Sequence, residues 1–269
     1  MTTATFEDRP VAWRPFHPRS IPRSAVRITV VNPNTSEHMT EAIGRAARSV
    51  ASVGTEIVAV TPPMGPASIE SHYDEALAVP GLLHEIVRGD AEGSDGYVVA
   101  CFGDPGIDAA RELARGPVIG IAEAAMHMAS LVGRRFSVVT TLSRTSGRAW
   151  DIAHRAGFDR ACAGVHACDI PVLELDDPHS DARRVILEEC AAALATDGSD
   201  VIVLGCAGMA DLCRDLSREL GVPVIDGVAA AVRLVEGLVA MGVTTSRRDE
   251  FAAPRPKEMT GLLAPFALA

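Results

Sequence analysis

The chain has 269 residues, of which 48 % are hydrophobic and 22 % charged, so it is long enough to bury a sizeable core. Its formal net charge of −10 argues against nucleic acid as a partner, because binding to phosphates draws on clustered Lys and Arg. No apolar run approaches the roughly 18 residues of a membrane span, and a secretory apolar segment is missing. These features predict a cytoplasmic protein that binds neither membranes nor nucleic acid and acts on a small molecule.

The residues and motifs that the sequence lacks exclude most cofactor chemistry. Lys257 is the only lysine, whereas pyridoxal phosphate enzymes and P-loop enzymes need a lysine in their sites. No G-x-G-x-x-G motif follows a strand candidate, and the six cysteines contain no C-x-x-C pair. We therefore expect reduced thiols, no cofactor and no metal ion.

The first elements in chain order predict an α/β protein. Residues 1–25 carry prolines and arginines without a hydrophobic period, which predicts a disordered N-terminal extension. A buried strand then ends at Asn32, and a helix of about 14 residues follows, with Thr35 or Ser36 as its cap. "TEIVAVTPP" predicts the next strand, and residues 69–91 predict a helix.

The strand "GYVVACFGD" comes next, and strands that alternate with helices in this way are typical of a parallel sheet covered on both faces. The second half of the chain repeats the order of the first. Three pairs of matching residues are separated by nearly the same number of residues: Val30 and Val138, Cys101 and Cys206, and Pro117 and Pro223.

This repeat predicts two pseudo-symmetric lobes, each a parallel sheet flanked by helices, with the active site in the cleft between them. We assign residues 26–120 and a C-terminal helix at about 226–242 to lobe 1, residues 121–225 to lobe 2, and 243–269 to a tail.

Two cysteines occupy equivalent places in the two halves. Cys101 and Cys206 each follow an apolar strand at the edge where parallel sheets bind their ligands, and each precedes a predicted helix, the first one capped by Asp104. A helix N-terminus favours an anion, so we expect it to lower the thiol pKa from its usual value of about 8.5. The other four cysteines are interpreted as small buried hydrophobes.

The sequence resembles a known family. The stretches "VVNPNTSEHMTEAI", "GPASIESHYDEA", "ACFGDPG", "FSVVTTLSRT" and "LGCAGM" resemble the aspartate/glutamate/hydantoin racemase superfamily, in its hydantoin and allantoin racemase branch, over roughly residues 26–262. The resemblance implies a cofactor-independent racemase that uses Cys101 and Cys206 as its two bases and forms a symmetric homo-oligomer. The implied substrate is a cyclic ureide, a 5-substituted hydantoin, with allantoin included.

Further residues are candidates for binding the substrate. Ser68 is carried by the resemblance and its loop context. The others are side chains at the ends of the first strand of each half and backbone N–H groups around the cysteines: Asn32, Asn34, Thr140, Thr141, Phe102, Gly103, Ala207 and Gly208.

Several functions remain open at this point. A relative with the same fold, such as a maleate isomerase or an arylmalonate decarboxylase, would use different chemistry. Two cysteines argue against the decarboxylase, which uses one, and the "CFGDP" motif argues against the isomerase. A non-catalytic two-lobed binding protein would not need paired thiols. A redox protein would need a bond between Cys101 and Cys206, which a cleft wide enough for a substrate ring prevents.

Overall fold

A computed structural model describes residues 25–176 and 180–268 of the chain. The extension predicted to be disordered, residues 1–25, lies outside the described residues except for its last one.

The first sheet has four parallel strands in the order β2-β1-β3-β4. Its strands are β1 (Val26–Val31), β2 (Thr55–Val60), β3 (Gly96–Val99) and β4 (Val118–Gly120). The helices that join them are α1 (Glu37–Val50), α2 (His72–Glu92) and α3 (Ile107–Leu113). The predicted cap of α1 is confirmed as Ser36, whose hydroxyl accepts the backbone N–H of Met39.

The second sheet has four parallel strands in the equivalent order β6-β5-β7-β8. Its strands are β5 (Phe136–Thr140), β6 (Cys162–Ala167), β7 (Val201–Gly205) and β8 (Val224–Ile225). Its helices are α5 (Ser146–Arg155), α6 (Ala182–Asp197) and α7 (Cys213–Leu220), with 3₁₀ turns at Ser143–Thr145, Val172–Asp176 and Ala207–Leu212. The same order in both sheets confirms the predicted α/β fold.

Two helices join the sheets. The helix α4 (Ile121–Val132) follows the first sheet but packs against β7, and α8 (Gly227–Ala240) follows the second sheet but packs against β3 and β4. The two helices also pack against each other. Their first turns meet at Gly227, where a Cβ atom would lie 2.5 Å from the backbone oxygen of Ile121. A single buried cluster therefore runs from β3 through α8 and α4 to β7.

The strands that end at the cleft are buried on both faces. All residues of β3, β5 and β7 are buried, as expected for strands with helices on each side. Residues 241–268 contain two short 3₁₀ turns, Asp249–Phe251 and Gly261–Phe266. Among the described residues, we find no helix whose length and apolar character would let it cross a membrane.

Candidate active site

Cys101 and Cys206 line the same cleft, which lies between the carboxyl ends of the two sheets and has a volume of about 610 Å³. Cys101 follows β3 by two residues, and Cys206 directly follows β7. This volume includes space that is open to solvent. Cys101 and Cys206 are partly exposed as whole residues, and all six cysteines are free.

The two cysteines sit in equivalent turns. The backbone N–H of Asp104 donates to the Cys101 oxygen at 3.0 Å, and the N–H of Met209 donates to the Cys206 oxygen at 3.1 Å. Cys101 and Cys206 therefore each begin a tight turn of four residues. The Gly103 backbone N–H also donates to the Cys101 sulfur. The two turns hold the thiols against the cleft from the two sheets.

Burial governs the acidity of Cys101. The pKa of its thiol is raised to about 12, mainly by loss of solvent; the Gly103 N–H lowers it in part, and the nearby charges of Cys206, Glu75 and Asp104 act in the same direction as the loss of solvent. The expected lowering by a helix N-terminus is therefore wrong for this cysteine. The physical reason is that loss of solvent is the largest influence on this thiol, while α3 begins only at Ile107, six residues after Cys101.

Asp104 caps a different helix from the one predicted. Its backbone has φ 44°, its side chain is fully buried, and its carboxylate accepts the N–H groups of Ala122 at 3.1 Å and Glu123 at 3.0 Å, in the first turn of α4. Burial raises the pKa of this carboxyl to about 6. The carboxylate covers Gly120, where a Cβ atom would lie within 2.2 Å of it. Asp104 thus connects the Cys101 turn to the helix that packs against β7.

The cleft brings many of the candidate residues together and leaves three of them out. The candidates that line it are Asn34, Cys101, Phe102, Gly103, Thr140, Thr141, Cys206 and Ala207. Those that do not line it are Asn32, Ser68 and Gly208.

Asn32 is a correction to the candidate set. Its side-chain nitrogen donates to Asn34 Oδ1 at 2.7 Å and to Thr40 Oγ1 at 3.0 Å, and its oxygen accepts the Asn34 N–H. Its polar atoms are therefore engaged within the protein, where they shape the turn that presents Asn34. Gly208 lies behind the thiol instead, since a Cβ atom there would be 3.7 Å from Cys206 Sγ. Ser68 adjoins Ile69, which does line the cleft.

The floor of the cleft consists of residues at the strand ends. Asn34, Thr140, Thr141 and Ala100 line it and are nearly inaccessible to solvent. The Thr140 hydroxyl donates to the Gly205 oxygen at 3.1 Å, whereas the Thr141 hydroxyl makes no hydrogen bond to a described residue. The floor therefore offers a free hydroxyl beside the two thiols.

The rim of the cleft contains an ion pair that sequence reasoning missed. Glu75 of α2 and Arg148 of α5 both line the cleft, and their Oε1 and Nε atoms are 3.5 Å apart. Glu75 lies on the helix predicted over residues 69–91, but the helical pattern of one lobe does not show which residue of the other lobe it meets. Within residues 25–176 and 180–268, no group of three His, Cys, Asp or Glu side chains is arranged to hold a metal ion.

Comparison with known proteins gives the family. Residues 28–235 match the family model described as Asp/Glu/Hydantoin racemase. The chain is 47 % identical to the hydantoin racemase of Rhizobium meliloti over 236 residues, which are 88 % of this chain and 98 % of the relative. The chain belongs to the Asp/Glu/hydantoin racemase family. The resemblance seen in the sequence is therefore confirmed.

Solved structures support the same conclusion for this racemase. The allantoin racemase from Klebsiella pneumoniae has a TM-score of 0.88 and 56 % identity, and the match covers 90 % of this chain and 99 % of that one. The allantoin racemase from Pseudomonas fluorescens has a TM-score of 0.85 and 41 % identity, with coverage of 88 % and 100 %. The chain is thus an enzyme that acts as a racemase, which excludes the non-catalytic binding protein.

Proposed function

We propose that this racemase inverts C5 of 5-substituted hydantoins, allantoin included, and that Cys101 and Cys206 are its two bases. The observation that carries the proposal is the placement of both thiols in one cleft, in equivalent turns at the ends of β3 and β7. Racemisation removes a proton from one face of a carbon and returns one to the other face. Two bases on opposite sides of the substrate are the smallest set of groups that does this.

In each direction one cysteine is a thiolate and the other a thiol. The thiolate takes the C5 proton, and the electron pair of the C–H bond moves into the ring to form an enolate whose charge lies largely on the carbonyl oxygen. The opposite thiol then returns its proton to C5 and becomes a thiolate. The pair has exchanged protonation states and is ready for the opposite enantiomer.

The buried setting of Cys101 suits this chemistry. A thiolate whose pKa is raised to about 12 is scarce at neutral pH, but it is a stronger base than an ordinary thiolate and is better matched to a weakly acidic C–H bond. The negative charge of Glu75 acts in the same direction, whereas Cys206 is then the neutral thiol. Proton transfer from substrate to Cys101 is therefore more favourable than in water.

The floor and the turns supply hydrogen bonds for the ring. We propose that the Thr141 hydroxyl holds a ring N–H or C=O group and that the remaining N–H of Asn34 Nδ2 donates to a ring C=O group, since Asn34 Oδ1 already accepts two hydrogen bonds. The backbone N–H groups of Phe102 and Ala207 face the developing enolate oxygen. Preorganised donors of this kind stabilise charge that appears in the transition state without any reorganisation of solvent.

The substrate class is tested by polarimetry. We expect the rotation of a single-enantiomer hydantoin solution to fall to zero in the presence of the protein, and we would compare allantoin, 5-methylhydantoin and 5-benzylhydantoin. The control is the rotation of the same hydantoin solutions without protein, because hydantoins racemise slowly on their own. Unchanged rotation for all three compounds would rule out hydantoins as substrates.

The raised pKa of Cys101 predicts the pH dependence. Because the free enzyme must carry a thiolate, kcat/KM for the enantiomer that Cys101 deprotonates rises with pH, and a raised pKa moves this rise upward. We expect the rate to increase still between pH 8 and pH 9, by up to about tenfold per unit. Alkylation of Cys101 by iodoacetamide, followed by peptide mass spectrometry, should rise in parallel. If kcat/KM and the alkylation of Cys101 both reached a plateau below pH 8, the raised pKa of Cys101 would be contradicted.

A further inference from the structure

The Glu75–Arg148 pair crosses the rim of the cleft beside Cys101. Arg148 Nε donates to the Gly103 backbone oxygen at 3.0 Å, so the guanidinium is fixed to the turn that carries the cysteine. Glu75 lies against the same turn, because a Cβ atom on Gly103 would come within 2.5 Å of Glu75 Oε1. The side chains are 19 % and 28 % exposed for Glu75 and Arg148, which means that both are largely withdrawn from water.

The pair keeps hydrogen-bonding capacity that the protein does not use. The two terminal nitrogens of Arg148 make no hydrogen bond to a described residue, and Glu75 Oε2 lies 3.7 Å from His72 Nδ1, too far for a hydrogen bond. Ile69 and Val172 line the same part of the cleft with apolar side chains. The rim therefore presents one donor group and one acceptor group beside these apolar side chains, with the polar residues Ser71 and Thr145 also lining the cleft.

The positions of the thiols and the floor decide which part of the substrate meets this pair. C5 must lie between the two sulfurs, and the ring N–H and C=O groups need the polar residues of the buried floor. The substituent on C5 then points away from the floor, toward the rim. When C5 becomes planar in the enolate, the substituent lies in the ring plane, so the same rim position serves both enantiomers.

We propose that Glu75 and Arg148 bind the C5 substituent and select a neutral group that both donates and accepts hydrogen bonds, of the amide or ureido class, over alkyl and aryl groups. The inference rests on the proposed function. A carboxylate accepts from N–H groups, and a guanidinium donates to a carbonyl oxygen, so the two ends of a ureido group match the pair. A benzyl group would cover both charged groups and leave the Arg148 terminal nitrogens and Glu75 Oε2 desolvated without hydrogen-bond partners.

A site built around hydrogen bonds discriminates strongly against analogues that lack the partner groups. We expect the wild-type enzyme to have a higher kcat/KM for allantoin than for 5-benzylhydantoin. We expect Arg148→Met and Glu75→Gln each to lower the ratio of these kcat/KM values by about tenfold to a hundredfold. Arg148→Lys keeps the positive charge but loses the planar guanidinium with its several N–H donors. Its allantoin to 5-benzylhydantoin ratio should therefore lie between those of the wild type and Arg148→Met.

The matched control is a second ion pair between the same lobes. Arg155 Nη1 of α5 lies 3.2 Å from Asp108 Oδ2 of α3, and neither residue lines the cleft. The double variant Asp108→Asn/Arg155→Met should therefore leave the substrate ratio unchanged. Racemisation of 5-methylhydantoin serves as an internal standard, because its substituent is too small to engage either charged group.

The experiment measures kcat/KM for the three hydantoins with each variant, and thermal unfolding confirms that each variant is folded. A lower allantoin to 5-benzylhydantoin ratio in the Glu75 and Arg148 variants supports the inference, and kcat/KM for 5-methylhydantoin measures any change that is common to all three substrates. An unchanged ratio in these variants, or an equal fall in the control, overturns it and leaves the proposed function intact. Failure of the wild type to racemise any hydantoin overturns the proposed function itself.

Discussion

Replacing Cys101 or Cys206 by serine should lower the rate of racemisation by at least about a thousandfold. A serine hydroxyl does not ionise near neutral pH and is a poor proton donor, while positioned acid–base groups contribute about 10² to 10⁴ in rate. Since every turnover in either direction needs both groups, each single variant should lose nearly all net inversion. Polarimetry of a single-enantiomer hydantoin measures the loss.

Cys168→Ser is the matched control for this prediction. Cys168 is also partly exposed, and burial also raises its pKa to about 12, but it does not line the cleft. Its replacement should leave the rate within a factor of about two, because no proton transfer passes through it. Equal losses in all three variants would point to general damage of the fold and contradict specific roles for Cys101 and Cys206.

Replacing Asp104 by alanine should lower the free energy of unfolding by about 2 to 5 kcal/mol. The change removes a fully buried carboxylate and leaves the N–H groups of Ala122 and Glu123 without partners. Each buried donor left unpaired costs about 1 to 3 kcal/mol. Urea unfolding followed by circular dichroism measures the difference.

Asp226→Ala is the corresponding control. Asp226 accepts the N–H groups of Val228 at 2.9 Å and Ala229 at 3.0 Å, with nearly the same geometry, but it is half-buried, so water can take over its role. We expect a loss of only about 1 kcal/mol, as for an ordinary helix cap. An effect of Asp104→Ala no larger than that of Asp226→Ala would show that the buried connection to α4 contributes little.

Much of the architecture follows from local sequence patterns. The apolar runs that end in Cys101 and Cys206 predict strands whose carboxyl ends carry a functional group, and the repeated order of elements predicts two equivalent sheets. Both features depend on short stretches of chain, in which strand propensity and burial agree. The cap of α1 at Ser36 is local in the same way.

The features that sequence analysis got wrong depend on tertiary contacts. "GDPG" is typical of a helix start, with Asp104 as cap and Pro105 in the first turn. In the structure Asp104 adopts a positive φ and turns its carboxylate to α4, a helix that begins after the next strand. The acidity of Cys101 was misjudged for a related reason, because its pKa depends on burial in the folded protein and on the charges of Glu75 on α2 and of Cys206 after β7. No local pattern reports such contacts.

The most direct test of the paired-base mechanism follows hydrogen exchange at C5 in heavy water with each enantiomer separately. The wild type should produce inverted product that carries deuterium. Cys101→Ser and Cys206→Ser should each exchange the C5 proton of only one enantiomer, with retention, because one thiolate remains on one face of the ring, and the two variants should prefer opposite enantiomers. Chiral separation gives the amount of each enantiomer, and nuclear magnetic resonance then gives its deuterium content at C5. Exchange of the same enantiomer by both variants, or normal inversion by either, would contradict the assignment of Cys101 and Cys206 to opposite faces.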